Sequence, residues 1–177
     1  RVRVRFVVHV LVLLVVHLGP VLFTPTCAEN QAQLYFDINS DARTAVFWGN
    51  AITKHGHACL ELEKDGQRLI IDPGFYTEPM GDAQNVVAIV ITHQHDDHCY
   101  AEQVQSIRAS NPDVKIFGPG EVRTKLADHP VTAVHHGDWH EVGSFTLEFF
   151  GDLHQEIHRS IPIIQNTGVM VDDRLYY

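Results

Sequence analysis

Val86-Val87-Ala88-Ile89-Val90-Ile91-Thr92-His93-Gln94-His95-Asp96-Asp97-His98 runs from a β-branched apolar stretch into three histidines and two aspartates within six residues. The apolar half reads as a strand buried on both faces. Residues two apart on a helix point away from each other, whereas at a strand end His93 and His95 share one face. The chain must then turn to bring Asp97 and His98 into the same cavity. Behind them Tyr100, Val104 and Ile107 recur at helical spacing. The polar cluster therefore belongs at a strand-to-helix junction. Imidazole nitrogen and carboxylate oxygen are good ligands for zinc, iron and manganese, which makes His93, His95, Asp97 and His98 candidate metal ligands.

Working outward toward the N-terminus, Ala58, Leu60 and Leu62 alternate with Cys59, Glu61 and Glu63, so one face of that strand is buried. Asp65-Gly66 suits a type I′ turn, and Leu69-Ile70-Ile71 returns as the partner strand of a hairpin. Pro73-Gly74 stops that strand beside Asp72. The Asp72 carboxylate is then either an outer partner orienting a ligand histidine or a cap on backbone amides of the turn.

Working toward the C-terminus, a helix is expected from Tyr100 to about Ala109, then a turn at Asn111-Pro112-Asp113 and a strand over Val114–Phe117. Gly118-Pro119-Gly120 closes that strand, and Val122 and Leu126 indicate a second short helix. Val131–Val134 and Phe145–Phe150 read as strands. Gly168–Val171 and Leu175–Tyr177 form a hairpin around Asp172-Asp173-Arg174. Crossover units flanked by antiparallel hairpins fit a layered α/β sandwich better than a doubly wound parallel sheet.

The chain has 177 residues, 45% hydrophobic and 20% charged, a one-domain length of ordinary globular composition. A net charge of −9 argues against binding to a nucleic-acid backbone. Cys27, Cys59 and Cys99 form no CxxC pair, so a disulfide framework is not expected. Residues 1–45 stand apart from the domain assigned to 46–177. Arg1, Arg3 and Arg5 precede an apolar run from Phe6 to Leu18, too short for a comfortable membrane span but suited to an export signal, and Thr26-Cys27-Ala28 resembles a cleavage site. His9 and His17 interrupt the run and Arg1 is not a start methionine, so an artefactual extension ahead of the domain is the competing reading. The corresponding locations are the cytoplasm or, if residues 1–28 are a genuine signal peptide, export to the periplasm or beyond.

His93-x-His95-x-Asp97-His98 after a buried strand resembles the HxHxDH signature of the metallo-β-lactamase-fold hydrolases. Gly56-His57-Ala58 and Ile71-Asp72-Pro73-Gly74 upstream resemble turns of the opening strands of that fold. Gly151-Asp152-Leu153-His154, Ile161-Pro162 and Asn166-Thr167-Gly168-Val169 downstream resemble the segment carrying its third histidine. The likeness covers roughly Ile52 to Tyr177 and is nearest the small single-domain branch that includes L-ascorbate-6-phosphate lactonase-like hydrolases. It implies an αββα sandwich with His154 as the third imidazole of a first metal; His158 is the alternative. His57, on its turn at the mouth of the site, faces substrate or a metal-held water, or else packs structurally. Asp97 and His57 are the candidate catalytic side chains. His129, His135, His136 and His140 are expected in polar loops.

Three imidazoles leave a fourth position for water, which distinguishes a catalytic zinc site from a closed one. Asp97 and His98 cannot comfortably reach that ion and imply a second. The expected cofactor is Zn2+, two per complete domain, with Mn2+ or Fe as alternatives. Two adjacent ions point to hydrolysis by an activated water, and Cys99 reads as a packed small residue rather than a nucleophile. Family members usually continue past the last hairpin with a metal-bridging aspartate and a later histidine. On that pattern the domain is C-terminally truncated, Asp172 and Asp173 are turn residues, and the second ion keeps only two protein ligands. The function expected is hydrolysis of a small ester, lactone or phosphoester. The alternatives are a nuclease of the same superfamily or a degenerate metal-binding member. A small-molecule substrate is expected, with no nucleic-acid partner and no stable membrane span, and the oligomeric state is left open.

Overall fold

The computed structural model describes residues 43–47 and 50–177; the signal-like stretch of the leader lies outside the described residues. A seven-stranded sheet takes its strands in chain order: β1 (Arg43–Phe47), β2 (Asn50–Lys54), β3 (Leu60–Lys64), β4 (Gln67–Ile71), β5 (Val86–Val90), β6 (Lys115–Gly118) and β7 (Val131–Ala133). Strand β1 begins inside the 45 residues that sequence sets apart and pairs antiparallel with β2. The β3–β4 hairpin turns at Asp65 and Gly66, whose φ angles of 52° and 73° are those of the expected type I′ turn. From β4 onward neighbouring strands are parallel. Helix α1 (Ala101–Ser110) crosses from β5 to β6, and the short α2 (Gly120–Lys125) crosses from β6 to β7.

A second, antiparallel sheet holds β8 (Trp139–Val142), β9 (Phe145–Phe150), β10 (Gly168–Val171) and β11 (Leu175–Tyr176) in the order β11-β10-β9-β8. Strand β8 is a departure from the expectation of a polar loop there. Its side chains are mostly exposed or half-buried, with only Val142 buried, so hydrophobic alternation is too faint to announce it.

Strand β5 explains the layering. Ile89 and Ile91 face one core with Ile70, Ile116, Val104 and Ile107 of α1, and Val122 of α2. Ala88 and Val90 face the other core with Leu69, Ile71, Phe117, Leu147, Phe149 and Val169. Both faces are sealed, as the continuous apolar run requires. Each fully buried Ile or Val contributes about 1.5–3 kcal/mol relative to exposure. The described residues thus form three layers, helices, mixed sheet and antiparallel sheet, of the four expected. No helix among them is long and apolar enough to cross a membrane.

The sheets are tied at one end by Asp172. Its Oδ1 accepts from the Thr146 amide and hydroxyl, and its Oδ2 accepts from Lys64 at 2.7 Å. Asp172 and Asp173 both have a φ of 54°. They are turn residues of the β10–β11 hairpin, in line with the reading from sequence.

Candidate metal centre

At the C-terminal end of β5 the Ile91 amide still bonds the Phe117 carbonyl, so the strand holds its course up to the cluster. The amides of His98 and Cys99 then both bond the His95 carbonyl, at 3.0 and 2.8 Å, a single tight turn that swings Asp97 and His98 back toward the strand end. The Asp72-Pro73-Gly74 turn packs directly beneath it. A Cβ at Gly74 would overlap the Asp97 carbonyl, so only glycine admits this close approach.

Two donor groups result. One ligand atom from each of His93, His95 and His154 lies within 4.8 Å of the others, and the same holds for His57, Asp97 and His98. The groups abut, since the rings of His93 and His98 are 4.0 Å apart between centroids. His158 belongs to neither: it is exposed and its Nδ1 lies 2.7 Å from Ser160 Oγ.

The hydrogen bonds fix which ring nitrogen each histidine offers. Asp72, fully buried, accepts from the Thr92 amide on Oδ1 and from the Thr92 hydroxyl and His98 Nδ1 on Oδ2, each at 2.7 Å. Of the two roles open to Asp72 in sequence, its carboxylate meets an imidazole of the motif, and the backbone amide it accepts from, that of Thr92, lies 20 residues away rather than in its own turn. Because the Thr92 hydroxyl gives its proton to Asp72, it can only accept from His93 Nδ1, 3.0 Å away. His154 Nδ1 donates to the Gln155 carbonyl at 2.7 Å. His93, His98 and His154 therefore all carry a proton on Nδ1 and leave Nε2 as the nitrogen free to meet a metal, the orientation in which a metal-ligating histidine is normally held.

Charge follows the same division. Burial, then the neighbouring His98, His95 and His154, push the His93 pKa down to about 3, so its ring is neutral. Burial also opposes charge on His98, but the hydrogen bond and charge of Asp72 outweigh it and raise its pKa above the usual value. Burial raises Asp97, yet the His57 hydrogen bond and the nearby His98 charge bring it below the usual carboxylate range overall. Three imidazoles beside a mixed imidazole and carboxylate set fit divalent ions of the zinc, manganese and iron class. Burial lifts the Cys99 thiol to about 11, so it stays protonated and is no nucleophile.

The matching model of the beta-lactamase superfamily domain covers residues 51–175. The chain is a member of the metallo-β-lactamase-fold superfamily. Within the superfamily it is similar to Protein Rv0786c of Mycobacterium tuberculosis, with 33% identity over 122 residues that make up 69% of this chain and 57% of that protein. It is also similar to a UPF0173 metal-dependent hydrolase of Anoxybacillus flavithermus, with 31% identity over 124 residues, 67% of this chain and 52% of that one. The chain thus spans a little over half the length of these relatives. A Parabacteroides distasonis crystal structure, of a protein named as a metal-dependent hydrolase, shares the fold: TM-score 0.59 at 19% identity, over 80% of this chain and 60% of that one.

A clamp that the family motif does not reveal joins the two segments carrying the imidazoles. Glu121 Oε2 accepts from Gln94 Nε2 at 3.1 Å and from the Gln165 amide at 2.9 Å, while Gln165 Oε1 accepts from the Glu121 amide at 3.0 Å. Gln94 lies between His93 and His95, and Gln165 pairs across a β-bridge with Leu153, next to His154. No sequence signal marks this contact, because its partners are 27 and 44 residues apart. Among the remaining histidines, His135 and His136 are exposed as expected; the His135 amide donates to Asp138 Oδ2, and His136 Nδ1 accepts from the Gly151 amide. His140 departs from expectation: it stands on β8 with its ring 4.9 Å from Phe117.

Proposed function

We propose that this chain carries a two-ion hydrolase centre, in which His93, His95 and His154 hold one ion and Asp97 and His98 hold a second. The observation that carries the reading is the abutting pair of donor groups, with three ring tautomers fixed so that Nε2 faces inward. Zinc is the ion the donor set suits best, with manganese or iron as competitors. When bound, such a pair lowers the pKa of a coordinated water toward neutrality and offsets negative charge developing on an attacked oxygen. The residues of the chain contribute by placement. Asp72 orients His98 directly and His93 through Thr92, Glu121 keeps the His154 segment against the motif loop, and Asp97 brings the negative charge that balances the second ion.

The substrate we favour is a small carboxylic ester or lactone with an apolar body, ahead of a phosphoester. One flank of the centre is lined by the edge-to-face rings of Phe75, Tyr76 and Tyr100, with Tyr76 5.5 Å from His57. The other is a small cleft in which His95 and His154 meet Ile157, Ile161, Pro162 and Ile163. Apolar walls around a polar centre suit a ligand that is mostly hydrocarbon with one polar function, and the chain's negative charge disfavours polyanions.

The test is to strip the chain with chelator, reload it with zinc or manganese, and assay p-nitrophenyl butyrate, a lactone series and bis(p-nitrophenyl) phosphate. Metal-dependent turnover of esters or lactones that disappears in His93→Ala is expected. A chain that binds its ions yet leaves every substrate intact would sink the hydrolase reading.

A further inference from the structure

We infer that His57 is the third protein donor to the second ion, beside Asp97 and His98, rather than a group reserved for substrate. The inference rests on the reading of Asp97 and His98 as ligands given above, and deepens it. Two protein donors are few for a catalytic divalent ion, which ordinarily takes three and keeps a further position for water. The described residues supply a third at the right place.

The donor separations carry the argument. His57 Nε2 lies 2.8 Å from Asp97 Oδ2, and that same oxygen lies 3.6 Å from His98 Nε2. Ligands bound at about 2.0–2.2 Å with angles between tetrahedral and octahedral stand about 2.8–3.6 Å apart. Both observed distances sit at the edges of that range. His98 already has its Nδ1 occupied by Asp72, so Nε2 is the nitrogen it turns to this point.

His57 is also held there against its own backbone preference. Its φ is 49°, in the left-handed region that a side chain with a Cβ seldom adopts. Lys54 Nζ donates to the carbonyls of both His55 and His57, and Gly56 runs so close to the Tyr76 carbonyl that a Cβ would collide with it. Strain of this kind persists where surrounding contacts over-determine it, and it gathers at working sites. Here its effect is to aim one imidazole across 40 residues of sequence at Asp97.

The competing account is that His57 merely donates a hydrogen bond to Asp97 and steadies it. The 177-residue chain, stripped and then titrated with cobalt(II), separates the two, with the visible cobalt band and equilibrium dialysis as readouts. Wild type should take up two ions. His57→Ala should keep the first ion, which also shows that it is folded, and bind the second more than about 100-fold more weakly, beyond the roughly 10–100-fold that loss of an orienting partner produces. His57→Gln should behave as His57→Ala, although its amide can still donate to Asp97. If His57→Gln loses less than about 100-fold, His57 is only a hydrogen-bond partner and the inference falls while the two-ion reading stands. If wild type binds fewer than two ions, or if His93→Ala leaves the first site unchanged, the two-ion reading itself fails and the inference goes with it.

Discussion

The two donor groups lie side by side but are built on opposite principles. His93 is 5% exposed, stands on the end of a fully buried strand, and is kept neutral by that burial. The side chains of His57, Asp97 and His98 are 43%, 35% and 21% exposed, stand on turns, and are held together by charge. In the first group His93 is preorganised by the core, while the segment carrying His154 is held to the motif loop by the Glu121 clamp. The second depends on individual hydrogen bonds and on the left-handed turn at His57. Among the described residues Asp72 reaches both, His98 directly and His93 through Thr92, which makes it the place where the contrast can be broken most completely.

Asp72→Ala should have the largest effect. It strands three donors in the interior, the Thr92 amide, the Thr92 hydroxyl and His98 Nδ1. At about 1–3 kcal/mol for each unsatisfied group, unfolding free energy should fall by roughly 3 kcal/mol or more, measured by urea denaturation of the metal-free chain. Both ions should bind at least about tenfold more weakly, since both sets of rings lose their orienting partner. A loss confined to the second ion would show that Thr92 holds His93 without help from Asp72.

His93→Ala comes next and should separate the groups. It removes the buried donor and leaves the bonds among His57, Asp97, His98 and Asp72 in place. One ion should be lost, with the other retained within about tenfold, as read by equilibrium dialysis. Loss of both would mean that the groups bind cooperatively and that the division drawn here is false.

Glu121 tests how far the first group depends on its clamp. Glu121→Ala removes the acceptor shared by Gln94 and the Gln165 amide, and should weaken the first ion by about tenfold, the lower end of the range for an orienting partner. Glu121→Gln keeps an acceptor oxygen at the same place and should recover most of the loss. The second group touches none of these residues, and its ion should not respond.

What sequence could reveal follows the same contrast. Strand β5, the β3–β4 hairpin and the crossover helices were readable because local periodicity and burial agree there: every side chain from Ala88 to Val90 is buried on one face or the other. His93, His95, Asp97 and His98 were readable because they are close in sequence, and His154 through the family segment after β9. The clamp of Glu121 left no trace, and the family-like turn put His57 at the mouth of the site without revealing its bond to Asp97, since each contact is made by tertiary placement of distant loops. Strand β8 was missed for a different reason. It is a half-exposed strand at one side of the second sheet, where Trp139, His140 and Glu141 carry no apolar alternation, and its pairing with β9 supplies what its own sequence lacks.

The smallest effect, and the one that probes the contrast without altering geometry, is the pH dependence of the metal-free chain. His93 titrates near 6.5 when unfolded and near 3 when folded, so between those values the unfolded state binds the extra proton. Its neutral burial therefore costs nothing above pH 6.5 and erodes stability progressively as pH falls from 6.5 toward 3. His98 has the opposite sign. Its folded pKa is raised by Asp72, so its contribution is fully present below the unfolded value of 6.5 and is lost as pH rises through the folded one. Urea midpoints of wild type, His93→Gln and His98→Gln, compared from pH 4 to pH 9, separate the two. His93→Gln should flatten the acid side of the profile, and His98→Gln should destabilise most at low pH and least at high pH. If both variants change the profile with the same sign, the two groups share one electrostatic environment, and the separation of a core-built site from a charge-built one does not hold.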